Sequence, residues 1–97
     1  MTRRLIVARR AEIQIAKAQR WWRAHRDAVD LLSQELDEAF SLIRQYPHIG
    51  KSVQTRHGKF MRRVTLDGTR YLLYYRVRDD AVEVAALWHG SRRPPRL

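Results

Sequence analysis

The sequence contains no cysteine, no long hydrophobic run and no internal repeat. Without cysteine, disulfides and thiolate metal sites are excluded, and an intracellular location is favoured. Apolar runs such as LIVA at Leu5–Ala8 are far too short for a membrane span or for the core of a signal peptide. We therefore predict one soluble, cytoplasmic domain over residues 1–97, of a size that buries only a small core.

Acidic residues are also scarce, with 10 Asp and Glu against 20 Lys and Arg, which gives a formal net charge of +10. Residues 1–50 carry nine basic and six acidic side chains, whereas residues 51–97 carry eleven and four, so +7 of the +10 lies in the second half. Most of the basic residues are arginine, whose planar guanidinium suits phosphate and carboxylate. Such a charge favours a nucleic acid or an acidic protein as partner, and the alternative is a cationic surface that binds nothing.

Two amphipathic helices are predicted in the first half of the chain. The first begins at Arg9 and ends near His25, because apolar residues recur there at three- and four-residue spacing: Ala8, Ala11, Ile15, Ala18 and Trp22. Asp27 is predicted to cap the second helix, and Pro47 and Gly50 to end it. Its apolar stripe consists of Val29, Leu32, Leu36, Phe40 and Ile43, widened by Ala39 and Tyr46.

Strands are predicted on either side of these helices. A short strand at 3–8 precedes them, and strands at 59–66, 70–77 and 81–89 follow, separated by turns at Asp67-Gly68 and at 78–80. In the last strand, Val82, Val84, Ala86 and Trp88 alternate with the other residues, so one of the two sets should face the core. The class is α+β, in the order β-α-α-β-β-β, with the N-terminal strand and a helical hairpin packed on a small antiparallel sheet. Residues 91–97, with two prolines, should form an extended basic tail.

Several of these segments together resemble the RelE/ParE superfamily of bacterial toxins. The resemblance rests on the order of the predicted elements and on four segments: the P-x-x-G of Pro47–Gly50, the Met61-Arg62-Arg63 strand, the YLLYYRV strand and the ending W-H-G-x-R-R. The resemblance covers nearly the whole chain, and the proline-lengthened tail departs from it. The W-H-G-x-R-R ending looks more like the ParE-like and plasmid-stabilisation branch than the RelE-like branch.

The resemblance implies the toxin half of a type II toxin–antitoxin module. Its partner would be a cognate antitoxin, often acidic and partly disordered, that folds as it binds and forms a hetero-oligomer with the toxin. ParE-like members poison DNA gyrase without known chemistry of their own, whereas RelE-like members cut mRNA on the ribosome. We favour gyrase as the target and a non-enzymatic role, and predict no cofactor, no metal and no membrane partner. The alternatives are a ribosome-dependent mRNA endoribonuclease and a non-toxic homologue that binds antitoxin or nucleic acid.

The endoribonuclease alternative would use His89, Arg62 and Tyr75. Attack by a 2′-hydroxyl needs a proton acceptor, a proton donor and cations on the phosphate, and histidine is the usual acid or base near neutral pH. Tyr75 could stack on a base. However, no tyrosine follows Tyr75 in the chain, and Asp67 is the only acidic residue between Glu38 and Asp79, so His89 has no obvious catalytic partner. In the alternative interpretation His89 ends its strand and Tyr75 packs in the core.

Six residues are predicted to contact a target or partner through charge: Arg62, Arg63, Arg76, His89, Arg92 and Arg93. Arg62 and Arg63 are adjacent on one strand, so they should point to opposite faces of the sheet. Trp21 lies outside the apolar stripe of its helix and is expected to be exposed, or to contact the sheet edge or a partner.

Overall fold

A computed structural model describes residues 2–93 and 97. The chain forms two helices and five strands: β1 (Arg4–Val7), α1 (Arg9–His25), α2 (Leu31–Gln45), β2 (Lys51–Gln54), β3 (Phe60–Thr65), β4 (Tyr71–Val77) and β5 (Ala81–His89). The predicted α+β class and order of elements are confirmed, with β2 as one additional strand after the helices. Of the tail predicted at 91–97, Ser91 and Arg92 form a turn after β5, where the N–H of Arg92 donates to the carbonyl oxygen of His89 at 3.1 Å. Residues 94–96, like Met1, lie outside the described residues.

All five strands form one sheet in the order β1-β5-β4-β3-β2. β2 to β5 run antiparallel to their neighbours as a meander, whereas β1 joins β5 in parallel, with Leu5 opposite Val82. A parallel pair needs a long connection, and here the chain between β1 and β5 passes through both helices and through β2 to β4. β5 therefore lies between the first strand and the meander, and it is buried along most of its length.

The core lies between the helices and one face of the sheet. α1 contributes Ala11, Ala18 and Trp22, and α2 contributes Leu32, Leu36, Ala39 and Ile43, as their spacing predicts. The sheet contributes Leu66, Leu73, Tyr75, Val82, Val84 and Leu87. Val29 and Tyr46, at the two ends of the predicted α2 stripe, are exposed because they lie outside the helix.

The connection between the helices is fixed by side chains of α1. The indole Nε1 of Trp22 donates to the carbonyl oxygen of Ala28 at 2.8 Å. Gln19 Nε2 donates to Ser33 Oγ at 3.1 Å. The prediction of Asp27 as the helix cap is wrong: α2 begins at Leu31, three residues after the carbonyl held by Trp22, with Asp30 at the N-cap position. Within the described residues, neither helix is long and apolar enough to cross a membrane.

Candidate functional site

A cavity opens where β5 extends past the end of β1. β1 stops at Val7, opposite Val84, and the chain then turns into α1. Beyond Val84, helix α1 rather than a strand lies along this side of β5. The side chain of Gln14 replaces the missing strand, since its Oε1 accepts a hydrogen bond from the backbone N–H of Leu87 at 2.9 Å. The last residues of β5 and the second half of α1 thus face each other.

A β-bulge in β5 decides which side chains face α1. Tyr75 lies opposite Val84 and Tyr74 opposite Ala86, so one residue of β5 is left over between them. An extra residue reverses the alternation of side chains beyond it. The core therefore takes Val84 from one of the two predicted sets and Leu87 from the other, and the expected regular alternation along β5 is wrong. The same reversal places His89 on the side of the helices.

The cavity has a volume of about 510 Å³ and is lined by both charged and aromatic residues. Its described lining comprises Gln14, Lys17, Ala18 and Trp21 of α1, Arg26, Tyr71 of β4, Leu87, Trp88 and His89 of β5, and Ser91 and Arg92. No aspartate or glutamate is among these residues. The lining is therefore cationic, with three aromatic residues beside the charges.

His89 is held at the end of β5 by its neighbours. Its ring meets the ring of Tyr71, the residue opposite it on β4, edge to face at 5.0 Å between centroids. The backbone N–H of Ser91 donates to His89 Nδ1 at 3.2 Å, and Ser91 Oγ lies 2.7 Å from the same nitrogen. Because Nδ1 accepts from a backbone amide, the proton of the neutral ring is on Nε2. Nε2 is the nitrogen of His89 left for a ligand.

Tyr71 and Arg92 are electrostatically coupled beside this histidine. Burial raises the pKa of the Tyr71 hydroxyl, and the positive charge of Arg92 offsets part of that rise. The hydroxyl of Tyr71 therefore stays protonated at neutral pH. The guanidinium of Arg92 lies 5.9 Å from the ring centroid of Trp88, within reach of a cation–π interaction.

Arg62 and Tyr75, the other residues of the endoribonuclease alternative, hold the loop that follows α2. The hydroxyl of Tyr75 donates to the carbonyl oxygen of Pro47 at 2.8 Å and accepts from the N–H of Gly50 at 3.0 Å. Arg62 Nη1 donates to the carbonyl oxygen of Gly50 at 2.8 Å. Burial raises the pKa of Tyr75, while the Gly50 hydrogen bond and the charge of Arg62 act in the opposite direction. Tyr75 is 0% exposed, so no base can stack on it.

The contact between Tyr75 and the loop explains the glycine of the P-x-x-G segment. A Cβ at Gly50 would lie 2.7 Å from the hydroxyl oxygen of Tyr75 and 3.0 Å from the carbonyl oxygen of Arg63. Real Cβ atoms essentially never show the first separation, and the second is tighter than most Cβ contacts. Gly50 is thus required because Tyr75 approaches its backbone closely.

The structure does not bring His89 together with Arg62 and Tyr75. His89 lies opposite Tyr71 and Arg62 lies opposite Tyr75, four residues further along the same strand. At about 3.3 Å per residue, the two positions are roughly 13 Å apart along β4.

The residues predicted to contact a partner fall into two groups. His89 and Arg92 line the cavity, and Arg93 lies next to them, with its carbonyl oxygen accepting a hydrogen bond from Trp88 Nε1. The other three lie on the meander. Arg62 binds the loop as described, Arg63 lies opposite Tyr74, and Arg76 forms an ion pair with Glu83 at 3.6 Å.

Four residues of the cavity are not among the predicted site residues: Lys17, Trp21, Arg26 and Tyr71. Lys17 and Trp21 are four residues apart, so they lie on one side of α1. Trp21 is 44% exposed, in agreement with its place outside the apolar stripe. The spacing of Lys17 and Trp21, and the position of Trp21 outside the apolar stripe, are the local signals for this part of the cavity. Nothing in the sequence indicates which face of α1 meets the end of β5.

Comparisons with known proteins agree on one family. The family described as the ParE toxin of the type II toxin–antitoxin system parDE matches residues 5–94. A chain from the chromosomal ParDE toxin–antitoxin system of P. aeruginosa has a similar structure, with a TM-score of 0.69 and 14% sequence identity, over 91% of this chain and 96% of that one. A search of curated proteins gave no match. The resemblance seen in the sequence is confirmed, and this chain belongs to the ParE toxin family of type II toxin–antitoxin systems.

Proposed function

We propose that this chain is a toxin that stops growth by acting on DNA gyrase, without catalysing a reaction, and that a cognate antitoxin neutralises it. The observation that carries the non-enzymatic part is the separation of His89 from Arg62 and Tyr75. RNA cleavage requires a proton acceptor, a proton donor and a phosphate-binding cation around one phosphate. Here Arg62 and Tyr75 are engaged by the loop at Pro47–Gly50, at the far end of β4 from His89.

The surroundings of His89 support the same conclusion. Its Nδ1 is engaged by Ser91, which leaves one ring nitrogen for any other group. The groups beside it in the cavity are a protonated tyrosine and cations, and no carboxylate is among the described lining residues. A second group able to accept a proton is therefore missing from the described lining. We assign His89, Arg92 and Arg93 to contact with the target.

The antitoxin would meet a surface of suitable charge and polarity. The chain carries a net charge of +10, which favours an acidic partner. Three large apolar side chains are exposed close together in sequence, at the end of α2 and in the following turn: Leu42 at 39%, Tyr46 at 60% and Ile49 at 53%. Exposed apolar side chains on a chain of high positive charge suit a segment that is both acidic and apolar and that orders on binding.

The test is to induce the chain alone in growing cells and to follow DNA and protein synthesis in the same culture by pulse labelling. We expect DNA synthesis to fail first, and purified gyrase to lose supercoiling activity in the presence of the chain. If protein synthesis fails first and mRNA is cleaved, the ribosome-dependent endoribonuclease is favoured. Unaffected growth would favour a non-toxic homologue.

A substitution of His89 separates the two toxic alternatives. We expect His89→Gln to retain most of the toxicity and antitoxin binding. The glutamine amide takes the place of Nε2, the ring nitrogen left for a ligand, and can still form a hydrogen bond with the target. His57→Gln, in the exposed turn between β2 and β3, is the matched control. If His89→Gln abolishes both toxicity and mRNA cleavage while His57→Gln and antitoxin binding are unaffected, His89 is a catalyst and the non-enzymatic proposal is wrong.

A further inference from the structure

We propose that the cavity between α1 and the end of β5 binds one nucleotide of a single-stranded nucleic acid. The phosphate would lie among Lys17, Arg26 and Arg92, and the base would pack against the aromatic residues. This goes beyond the proposed function, because the ligand is nucleic acid rather than gyrase. If the chain acts on gyrase, the cavity would give it a contact with the DNA that gyrase holds.

The charges of the cavity are available to a phosphate. Within residues 2–93 and 97, none of Lys17, Arg26 and Arg92 forms an ion pair with a carboxylate. Two of them lie against aromatic rings instead. The guanidinium of Arg26 is 5.3 Å from the ring centroid of Trp21, and that of Arg92 is 5.9 Å from the ring centroid of Trp88. Each of these arginines is thus held beside an aromatic ring and keeps its charge unneutralised.

This arrangement matches the chemistry of a nucleotide. A nucleotide joins a planar base to a phosphate, and proteins that bind single strands combine aromatic rings for the bases with cations for the backbone. His25 stacks on the Trp21 ring at 4.6 Å between centroids, so a base would pack on the part of Trp21 that His25 leaves open, with its phosphate towards Arg26. The volume of about 510 Å³ lies within the usual range for small-ligand sites and suffices for one nucleotide.

A nucleotide fits this place better than an acidic peptide does. A peptide that adds to a sheet edge needs free backbone N–H and C=O groups there. On the side of β5 left open by β1, the N–H of Leu87 is already taken by Gln14. The lining offers the side-chain groups that a nucleotide needs: cations, aromatic rings and the Nε2 proton of His89. The cavity therefore offers charge and ring surface rather than an edge for strand pairing.

The direct test is the binding of a short fluorescent oligothymidylate to the purified chain, measured by anisotropy at fixed salt. Any protein with a net charge of +10 attracts nucleic acid, so the control must remove the same charge elsewhere. We compare Lys17→Gln/Arg92→Gln with Lys51→Gln/Arg56→Gln, which alters β2 and the loop after it. Both variants lower the net charge by two.

We expect the cavity variant to weaken binding at least about tenfold and the control variant less than about threefold, since the control loses only long-range attraction. Thymidine monophosphate should compete with the oligonucleotide for the parent chain. Equal losses in the two variants would overturn the proposal, because binding would then be nonspecific. A poly-glutamate peptide that binds as tightly and with the same sensitivity to Lys17 and Arg92 would overturn it too, in favour of an acidic protein segment.

An aromatic substitution gives a second, independent readout. Trp21→Ala should weaken oligonucleotide binding about tenfold, whereas Phe60→Ala, at a side chain 67% exposed on β3, should leave it unchanged. Both side chains are exposed, so both variants should fold, which circular dichroism checks. Unchanged binding by Trp21→Ala contradicts base packing in the cavity. Because this assay contains no gyrase, its failure and a failure of the proposed function are observed separately.

Discussion

Replacing Gly50 with alanine and Tyr75 with phenylalanine, separately and together, tests whether Tyr75 is a structural residue. Gly50→Ala places a Cβ 2.7 Å from the Tyr75 hydroxyl oxygen and 3.0 Å from the backbone oxygen of Arg63. Overpacking of this kind costs about 1–3 kcal/mol. Tyr75→Phe removes the donor to Pro47 and the acceptor for the Gly50 N–H, both buried, at a cost of about 1–3 kcal/mol.

The double variant should cost less than the sum of the two single variants. Phenylalanine has no hydroxyl oxygen, so the closest contact of the new Cβ disappears and only the contacts at 3.0 Å remain. Residues in direct contact typically couple by about 0.5–3 kcal/mol, and we expect at least about 1 kcal/mol here. The cycle is measured by urea unfolding followed by far-ultraviolet circular dichroism. In a domain of this length, about 1 kcal/mol also shifts the Tm by roughly 4–8 °C.

A control cycle pairs Gly50→Ala with Tyr71→Phe. Tyr71 lies at the other end of β4, beside His89, so its effect should add to that of Gly50→Ala within about 0.5 kcal/mol. Additivity in the Gly50–Tyr75 cycle as well would refute the reasoning, because the hydroxyl would then not be what requires glycine.

Two further stability measurements follow from hydrogen bonds and burial. Glu35→Ala should lower the free energy of unfolding by about 2 kcal/mol, because its carboxylate accepts from the N–H groups of Gly68 at 2.7 Å and Thr69 at 2.9 Å. The exposed neighbour Glu38→Ala should change it by less than about 0.5 kcal/mol, and equal effects would contradict this role. Burial raises the pKa of Tyr75 above its ordinary 10.0, so the unfolded chain loses that proton first as pH rises. The free energy of unfolding should therefore fall above about pH 10, and it should fall less steeply in Tyr75→Phe than in the parent. Urea titrations at several pH values measure this, and the same dependence on pH in both proteins would show that Tyr75 does not contribute.

The helices and most strands could be predicted because their signals are local. The spacing of apolar residues in α1 and α2 predicts that Trp22, Leu36 and Ile43 are buried, as they are. The turn residues between the strands predict where β3, β4 and β5 begin and end, to within a residue or two. β2 escaped prediction because Lys51–Gln54 is short and exposed except for Val53, so it shows no clear alternation. It forms only by pairing with β3.

The candidate site was only partly predictable. His89 and Arg92 were named from their place after the last strand, and both line the cavity. Arg62 was grouped with them by charge, although the structure commits it to the carbonyl of Gly50. Charge shows that a residue can bind an anion, but the partner it meets depends on which backbone atoms the fold brings near.

The sequence by itself determined the α+β class, the two amphipathic helices, the positive charge and the resemblance to ParE toxins, since each rests on residue type and short-range spacing. Only the tertiary structure decided the function of individual residues. The short β1 leaves one side of β5 to α1, and the bulge reverses the alternation of β5, so that His89 joins Trp21 and Lys17 at one cavity. The contacts of β5 with β1 and α1 join segments more than 60 residues apart, and the bulge lies in the pairing of β5 with β4, so local patterns encode neither.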